Sequence, residues 1–371
     1  LNLPAERLER LLDSTDDMNT ALKHLPLNDW PDLKGGLAPY YYDWLTHPDY
    51  DDYWKRISIE ESHPEIQVPA LNLGGWHDIF LGGTIRNFMR MREMGEGADA
   101  RRGQRLIVGP WVHGGAPTNV SGEFNFGTRS SSLAADLQGV MLRYYDYWLK
   151  GEDNGVPDDS PVRIFVMGDN VWRDEDEWPL SRAVSTKYYL RSGGRANTLN
   201  GDGTLSQDAP SDEAPDVFVY NPIDPVPTRG GALCCDPAFA ASGVYDQRPI
   251  EARSDVLVYS TPPLERDIEV TGPVSVHLWI SSSAVDTDFT AKLIDVHPPS
   301  ADYPEGYGLN LTDGILRVKF RNSWERTELM EPGEVYQVKL ELLPFSNLFV
   351  KGHRIRLDIS SSNFPRFDVN G

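Results

Sequence analysis

Two short apolar runs in the first half of the chain end at glycines, and a polar side chain follows each within a few residues. Residues 69–75 (PALNLGG) precede Asp78, and residues 105–109 (RLIVG) precede His113. Between them, apolar positions spaced three and four apart over residues 85–94 predict an amphipathic helix. This order predicts two buried parallel strands that stop at the glycines and bring both side chains to the carboxyl edge of one sheet.

The pattern changes in the second half of the chain. A second amphipathic helix is predicted over residues 134–150, and a turn-rich segment over residues 153–159 follows it. From there on, short runs alternate apolar and polar positions, which is typical of half-buried antiparallel strands. We therefore predict an all-β sandwich over residues 160–371. Its predicted strands cover residues 162–167, 187–190, 256–260, 274–281, 290–296, 315–320, 335–342 and 354–360.

Residues 1–66 are predicted to be helical and contain clustered aromatic residues at 40–45 and 50–54. These rings, which include Tyr41 and Trp44, either line a pocket for an apolar substrate group or form the core of a small helical layer. The pattern leaves both interpretations open.

The net charge of the chain limits the classes of partner that it is expected to bind. The 35 basic and 56 acidic residues give a net charge of −21. Because phosphate binding requires clustered Lys and Arg, we expect neither nucleic acid nor an anionic membrane as a partner. No apolar stretch approaches the roughly 18 residues of a membrane-spanning helix. The oligomeric state stays open, a homo-oligomer included.

The two cysteines, Cys234 and Cys235, are neighbours in the chain. Adjacent cysteines rarely form a disulfide because the geometry strains the peptide, and two thiols alone make a poor metal site. We therefore expect a fold that does not depend on disulfides. This expectation favours a reducing, cytoplasmic compartment over secretion.

Asp78 and His113 are the candidate catalytic pair. A histidine that acts as a base must be held in one tautomer, and a carboxylate bonded to its far nitrogen does so. Taken singly, either residue could be an ordinary turn or loop residue, so their shared placement after consecutive strands carries the hypothesis. We interpret His77 as a packing or loop residue. The other histidines have no accompanying residue pattern that would indicate a metal site, so we expect no metal and no cofactor. These histidines are His24, His47, His63, His277, His297 and His353.

The chain contains no Gly-x-Ser-x-Gly motif, which places a nucleophilic serine on a strand-to-helix turn. In α/β-hydrolases the catalytic serine precedes the Asp and the His. Before Asp78 the only serines are Ser14, Ser58 and Ser62, in a region predicted to be helical. We therefore expect the serine on a companion segment that precedes Leu1 in a longer protein.

Several motifs resemble the cocaine-esterase-like (CocE/NonD) serine hydrolases, which are related to the X-Pro dipeptidyl-peptidases and the α-amino-acid ester hydrolases. The resemblance covers nearly the whole chain and is most specific from about residue 66 onward. The matching stretches are residues 74–80 (GGWHDIF), 109–113 (GPWVH), 246–251 (DQRPIE), 255–257 (DVL), 263–273 (PLERDIEVTGP), 286–296 (DTDFTAKLIDV) and 360–368 (SSSNFPRFD).

The resemblance implies a fold of three parts: an α/β-hydrolase domain, a helical cap inserted into it, and a C-terminal jelly-roll sandwich. Residues 1–66 then correspond to the later part of the cap. Residues 67–152 correspond to the C-terminal half of the hydrolase sheet, and residues 160–371 to a jelly roll that is truncated at its C-terminus.

The resemblance also implies roles for individual residues. Asp78 matches the triad Asp and His113 the triad His, whereas the nucleophile and an oxyanion-hole tyrosine belong to segments upstream of this chain. The expected activity is acyl transfer on a small-molecule ester or amide through an acyl-enzyme. Candidate substrate-pocket residues are Trp76, Phe80, Trp111, Tyr41 and Trp44.

One departure from the related families narrows the substrate. In the amino-acid ester hydrolases, acidic residues just after the triad Asp hold the substrate amine. Here those positions are Ile79, Phe80 and Leu81, which cannot pair with an ammonium group. We therefore expect a neutral, apolar acyl ester. Two alternatives remain: an X-Pro dipeptidyl-peptidase, and a non-catalytic module whose sandwich binds carbohydrate.

Overall fold

A computed structural model describes residues 4–30, 33, 38–234 and 237–371. Its α-helices are α1 Ala5–Asp16, α2 Met18–Ala21, α3 Pro39–Thr46, α4 Asp52–Lys55, α5 Leu81–Met94, α6 Gly97–Arg102, α7 Leu137–Lys150 and α8 Arg248–Glu251. Short 3-10 helices cover Leu27–Asp29, Ile59–Glu65, Thr128–Ser130, Val156–Asp158 and Val318–Phe320.

The strands are β1 Leu71–His77, β2 Arg105–Val112, β3 Val120–Ser121, β4 Phe124–Asn125, β5 Val162–Val166, β6 Val171–Glu175, β7 Tyr189–Arg191, β8 Thr204–Ser206, β9 Leu257–Ser260, β10 Ile268–Ile280, β11 Asp288–His297, β12 Tyr307–Arg317, β13 Tyr336–Phe349 and β14 Arg354–Ser360. Among the described residues, β1, β2, β5 and β6 form a mixed sheet in that order, which we call the first sheet. Strands β7 to β14 form two further sheets, which together we call the C-terminal β region.

The parallel strands of the first sheet run past the glycines at which they were predicted to stop. β1 continues through Gly74 and Gly75 to His77, and β2 continues through Gly109 to Val112. Glycine weakens a strand but does not end it when the neighbouring backbone approaches closely. As a result, each candidate catalytic residue directly follows its strand.

The strand at Val162–Val166 belongs to the first sheet, so its prediction as a sandwich strand was wrong. β5 pairs in parallel with β2, through Leu106 opposite Val162, and β6 then pairs antiparallel with β5. An apolar run of this length suits either kind of sheet, and its partner is chosen by contacts that are distant in sequence.

The C-terminal β region consists of antiparallel pairs with one short parallel contact between β8 and β9. Its larger sheet has the order β12-β11-β14-β9-β8-β7, and β10 pairs with β13. The remaining predicted strands all overlap strands of this region.

One apolar cluster joins the first sheet to the C-terminal β region. It includes Trp76 and Val108 from the first sheet, and Phe345 and Phe349 from β13. The indole of Trp76 donates to the backbone oxygen of Phe165 at 2.7 Å. The two parts therefore share a core rather than meeting only at a linker.

Cys234 is disulfide-bonded, contrary to the expectation of unpaired thiols. Cys235 lies outside the described residues. The cysteines therefore do not indicate a reducing compartment. Within the described ranges, none of the helices has the length and apolar character needed to cross a membrane.

Candidate active site

Asp78 and His113 occupy equivalent positions at one edge of the first sheet. β1 ends at His77 and β2 ends at Val112, and these two residues are register partners. Because parallel strands present their carboxyl ends at the same edge, the residues that follow lie side by side.

The close approach of β1 and β2 depends on Gly75. A Cβ atom at this position would lie 2.1 Å from the backbone oxygen of Trp111. The pairing register shifts between Gly75 and His77, and the N–H of Asp78 donates to the Gly75 oxygen at 3.0 Å. A residue without a side chain therefore lets the two strand ends meet.

The side chains of the pair are hydrogen-bonded. Asp78 Oδ2 lies 3.3 Å from His113 Nδ1, and Asp78 Oδ1 accepts the backbone N–H of Phe80 at 2.8 Å. The Asp78 side chain is 15% exposed and that of His113 is 45% exposed. Within the described part of the chain, His113 Nε2 has no hydrogen-bond partner. The arrangement holds the imidazole by one nitrogen and leaves the other open for proton transfer.

The surface next to the imidazole is apolar. The Phe80 ring lies edge-on to His113, with ring centroids 5.0 Å apart and planes at 77°. Phe80 is 59% exposed and Ile79 is 43% exposed, whereas Leu81 is fully buried. Of the predicted apolar run, Ile79 and Phe80 are therefore exposed in this chain, and Leu81 belongs to the core.

No hydroxyl or thiol among the described residues is hydrogen-bonded to His113. The hydroxyl nearest to His113 along the chain, on Thr118, donates to the backbone oxygen of Val120 at 2.8 Å. The described residues therefore supply an acid and a base but no nucleophile bonded to them.

The chain matches the models of two families of known proteins. The model of the X-Pro dipeptidyl-peptidase C-terminal non-catalytic domain matches residues 154–371, which is more than half of the chain. The chain belongs to this family. A second model, that of the X-Pro dipeptidyl-peptidases of the S15 family, matches residues 4–115, which include Asp78 and His113.

Relatives of known name confirm the resemblance to cocaine-esterase-like hydrolases. The cocaine esterase of Rhodococcus sp. (strain MB1 Bresler) is 41% identical over 356 residues, which are 96% of this chain and 59% of that protein. Among solved structures, an α-amino acid ester hydrolase has a TM-score of 0.80 and 27% identity, covering 95% of this chain and 58% of that one. An aminopeptidase from a marine sediment archaeon (Thaumarchaeota) has a TM-score of 0.76 and 27% identity, covering 90% and 54%. The chain thus spans little more than half the length of these relatives.

Two of the predicted pocket residues of this family member lie in the core. Trp76 is 1% exposed and Trp111 is 5% exposed, and the Trp111 indole donates to the backbone oxygen of Ser130 at 2.6 Å. Further covering segments could only reduce this exposure. Neither indole is therefore exposed to solvent in this chain, and a role for them in the substrate pocket stays a prediction.

Tyr41 and Trp44 lie on α3, in the aromatic N-terminal region. The Tyr41 hydroxyl donates to the backbone oxygen of Leu27 at 2.9 Å, and the Trp44 ring packs against Tyr40 and Trp54. Trp44 remains 46% exposed. None of the described contacts of these rings involves Asp78 or His113, and a role in the pocket stays a prediction.

His77 is a packing residue, as interpreted from the sequence. It is 1% exposed, and its Nε2 donates to the backbone oxygen of Asn310 on β12 at 3.3 Å. Burial lowers the pKa of His77 to about 4, because a charged imidazole would lose its hydration there. His77 therefore links the first sheet to the C-terminal β region in its neutral form.

Sequence reasoning missed a group of polar residues in the C-terminal β region. His297 and His353, which showed no partner pattern, meet at the carboxylate of Asp295. The spacing of Asp295 and His297 on one strand was visible in the sequence, but the approach of His353 depends on strand pairing.

Proposed function

We propose that this chain is part of a serine hydrolase that cleaves acyl esters or amides through an acyl-enzyme. The observation that carries the proposal is the hydrogen bond between Asp78 and His113 at the ends of adjacent parallel strands. The relatives named above, an esterase, an ester hydrolase and an aminopeptidase, are consistent with this class of reaction.

In the proposed mechanism, His113 acts as the general base and Asp78 as the group that orients it. His113 Nε2 takes the proton of the serine hydroxyl while the serine oxygen attacks the acyl carbon. It then gives that proton to the departing alcohol or amine, and a water molecule releases the acyl group by the same route. Asp78 keeps Nδ1 protonated and stabilises the imidazolium that forms at each step.

We propose that the serine comes from a segment outside these 371 residues, added at the free edge of β1. Among the described residues, β1 pairs only with β2, and its Leu73 is 37% exposed. Strands of parallel sheets are normally buried on both faces, so an exposed Leu on an edge strand favours a further strand there. Helix α7 also has an exposed apolar face, which favours a covering segment there in the same way. This face consists of Leu142, Tyr145 and Leu149.

The same proposal assigns the domains. Residues 1–66 form the later part of a helical cap, residues 67–152 the C-terminal half of an α/β-hydrolase sheet, and residues 160–371 without β5 and β6 a jelly-roll sandwich. The parallel pairing of β1, β2 and β5 supports the second assignment. The antiparallel strands of the C-terminal β region support the third, with β5 and β6 extending the hydrolase sheet.

The proposed substrate is a neutral ester with an apolar acyl group. The side chains exposed beside Asp78 are Ile79 and Phe80, and Phe80 contacts the catalytic imidazole. An apolar surface favours an alkyl or aryl acyl group over an ammonium group, which would lose hydration without gaining a partner.

The test is p-nitrophenyl butyrate hydrolysis by the longer protein that contains these residues. Asp78→Asn is expected to lower kcat about 10⁴-fold, because the imidazole loses its orientation and tautomer. His113→Ala is expected to lower kcat by at least as much. Asp153→Asn, in the exposed linker, is the matched control and should keep full activity.

The 371-residue chain by itself supplies the second arm of the test. It is expected to show no hydrolysis above that of its own His113→Ala variant. Turnover that survives His113→Ala in either protein, or near-normal turnover of Asp78→Asn, would remove the pair from the mechanism.

The second candidate is an X-Pro dipeptidyl-peptidase, which the two family models favour. The longer protein is assayed with a dipeptidyl-proline anilide beside the simple ester. A kcat/KM that is higher for the anilide would favour the peptidase. Binding of the 371-residue chain to a glycan array, without any hydrolysis by the longer protein, would favour a carbohydrate-binding module.

A further inference from the structure

Three side chains of the types that bind transition metals meet in the C-terminal β region. Asp295 and His297 are two residues apart on β11, so both side chains point to the same face of the sheet. β14 pairs antiparallel with β11, with Val296 opposite Arg354. This pairing brings His353, the residue before β14, next to Asp295 and His297.

Both histidines direct a ring nitrogen at the same carboxylate. His353 Nδ1 lies 2.8 Å from Asp295 Oδ1, and His297 Nε2 lies 3.6 Å from Asp295 Oδ2. The two imidazole centroids are 4.3 Å apart, and the three potential ligand atoms all lie within 4.8 Å of one another. Each residue therefore offers one donor atom to a common point.

Neither Lys nor Arg among the described residues pairs with the Asp295 carboxylate. Asp295 is 1% exposed, and in the described part of the chain its ion-pair partners within 4.0 Å are the two histidines alone. Asn347 Nδ2 donates to Asp295 Oδ2 at 3.2 Å but carries no charge. A buried carboxylate is costly unless a positive charge compensates it, and a bound metal ion would supply that charge.

The three side chains together offer one carboxylate oxygen and two imidazole nitrogens, which are the kinds of donor atom that bind transition-metal ions.

The donor set selects the class of metal. Two imidazole nitrogens and one carboxylate oxygen suit Zn²⁺ and related transition-metal ions, whereas Mg²⁺ and Ca²⁺ prefer oxygen ligands throughout. The histidine side chains are 17% and 15% exposed, which gives an ion access from solvent. Rings from three neighbours pack around His297 and limit its rotation; they belong to Phe124, Tyr303 and Tyr307.

We propose that Asp295, His297 and His353 form a binding site for Zn²⁺, with water as the fourth ligand. In a tetrahedral site with bonds of about 2.0–2.1 Å, ligand atoms are roughly 3.3–3.5 Å apart. The 3.6 Å between His297 and Asp295 is close to this value, and His353 gives up its hydrogen bond to reach the metal. The metal holds the end of β11 against the start of β14, on a different sheet from the Asp78–His113 pair.

The experiment measures zinc bound to the tag-free 371-residue chain. Protein is stripped of metal with EDTA, incubated with excess ZnCl₂ and passed through a desalting column. Its zinc content is then measured by elemental mass spectrometry. The expected content is about one zinc per chain, accompanied by a rise in Tm over the EDTA-treated protein. Co²⁺ in place of Zn²⁺ should give the visible absorption of a tetrahedral site.

Matched histidine variants locate the ion. His297→Gln and His353→Gln are each expected to lose the bound zinc and the zinc-dependent rise in Tm. His277→Gln removes an exposed histidine from β10 and should retain both. The Tm in EDTA is measured for every variant, so that a loss of zinc is counted only for variants that are folded without metal. Asp295→Asn is a third variant that removes a proposed ligand.

Two results would overturn the proposal. The first is a zinc content of the wild-type chain no higher than that of its His297→Gln variant. The second is zinc retained by both histidine variants at the wild-type level, which would place the ion elsewhere. Neither result depends on esterase activity, so the fate of the proposed hydrolase function is decided separately.

Discussion

His77 and Asp78 are adjacent in the chain but have opposite surroundings. His77 ends β1, is 1% exposed and bonds to the backbone of β12. Asp78 begins the turn that follows and meets His113 at the sheet edge. Because successive side chains of an extended strand point in opposite directions, one residue serves packing and the next serves the site.

The lowered pKa of His77 predicts how stability depends on pH. The unfolded state binds a proton near pH 6.5 and the folded state near pH 4, so the stabilisation is fully present above pH 6.5 and is lost as the pH falls toward 4. From pH 7 to pH 5, His77 should account for a loss of about 2 kcal/mol in the free energy of unfolding. Urea denaturation at both pH values measures this loss.

The matched variants are His77→Gln, which keeps a donor for the Asn310 oxygen, and His277→Gln. His77→Gln should reduce the change in the free energy of unfolding between pH 7 and pH 5 by about 2 kcal/mol. His277→Gln, at an exposed position on β10, should leave this change near that of the wild type. An equal pH dependence in the wild type and His77→Gln would contradict the assignment.

At the scale of elements, the site depends on how closely β1 approaches β2. Gly75 lies where a Cβ would overlap the Trp111 backbone oxygen, whereas Gly83 on α5 has no atom within 4 Å of an added Cβ. The same glycine-to-alanine change therefore meets two different environments, one in the sheet and one in a helix.

Gly75→Ala is expected to force the strands apart and to destabilise the protein by about 1–3 kcal/mol or more. Gly83→Ala should instead stabilise it by about 0.5–1 kcal/mol, because alanine favours the helix. Thermal unfolding of both variants is the measurement. A Gly75→Ala variant with unchanged Tm would show that the close approach is not required.

Over the whole molecule, the apolar cluster is continuous from the first sheet to β13. The backbone adds to this junction, because Leu348 N donates to the Met167 oxygen at 2.8 Å and Met167 N donates to the Ser346 oxygen at 3.1 Å. Two parts that share a core should unfold together.

Phe349→Ala tests this coupling. Phe349 is 0% exposed, so its truncation should cost about 3–5 kcal/mol, and unfolding should remain one transition by tryptophan fluorescence and by far-UV circular dichroism. Trp324→Ala, at a side chain 61% exposed, is the control and should change stability by less than about 1 kcal/mol. Separate transitions for the two signals would contradict a shared core.

Local pattern in the sequence was enough to predict the order of strand, Asp78, helix, strand and His113. It was also enough to place most strands of the C-terminal β region. Periodicity and the residues that flank an apolar run act over short distances, so they can be read from the chain directly. The departure at Ile79 and Phe80 was equally visible, because it depends on residue type alone.

Tertiary structure decided the features that depend on contacts distant in sequence. It assigned Val162–Val166 to the first sheet, buried Trp111 in the core, and carried β1 through its glycines. It also brought His353 to Asp295, 58 residues away in the chain. Strand pairing and side-chain direction are set by which surfaces can be buried together, and that choice is made by the whole fold and not by any local segment.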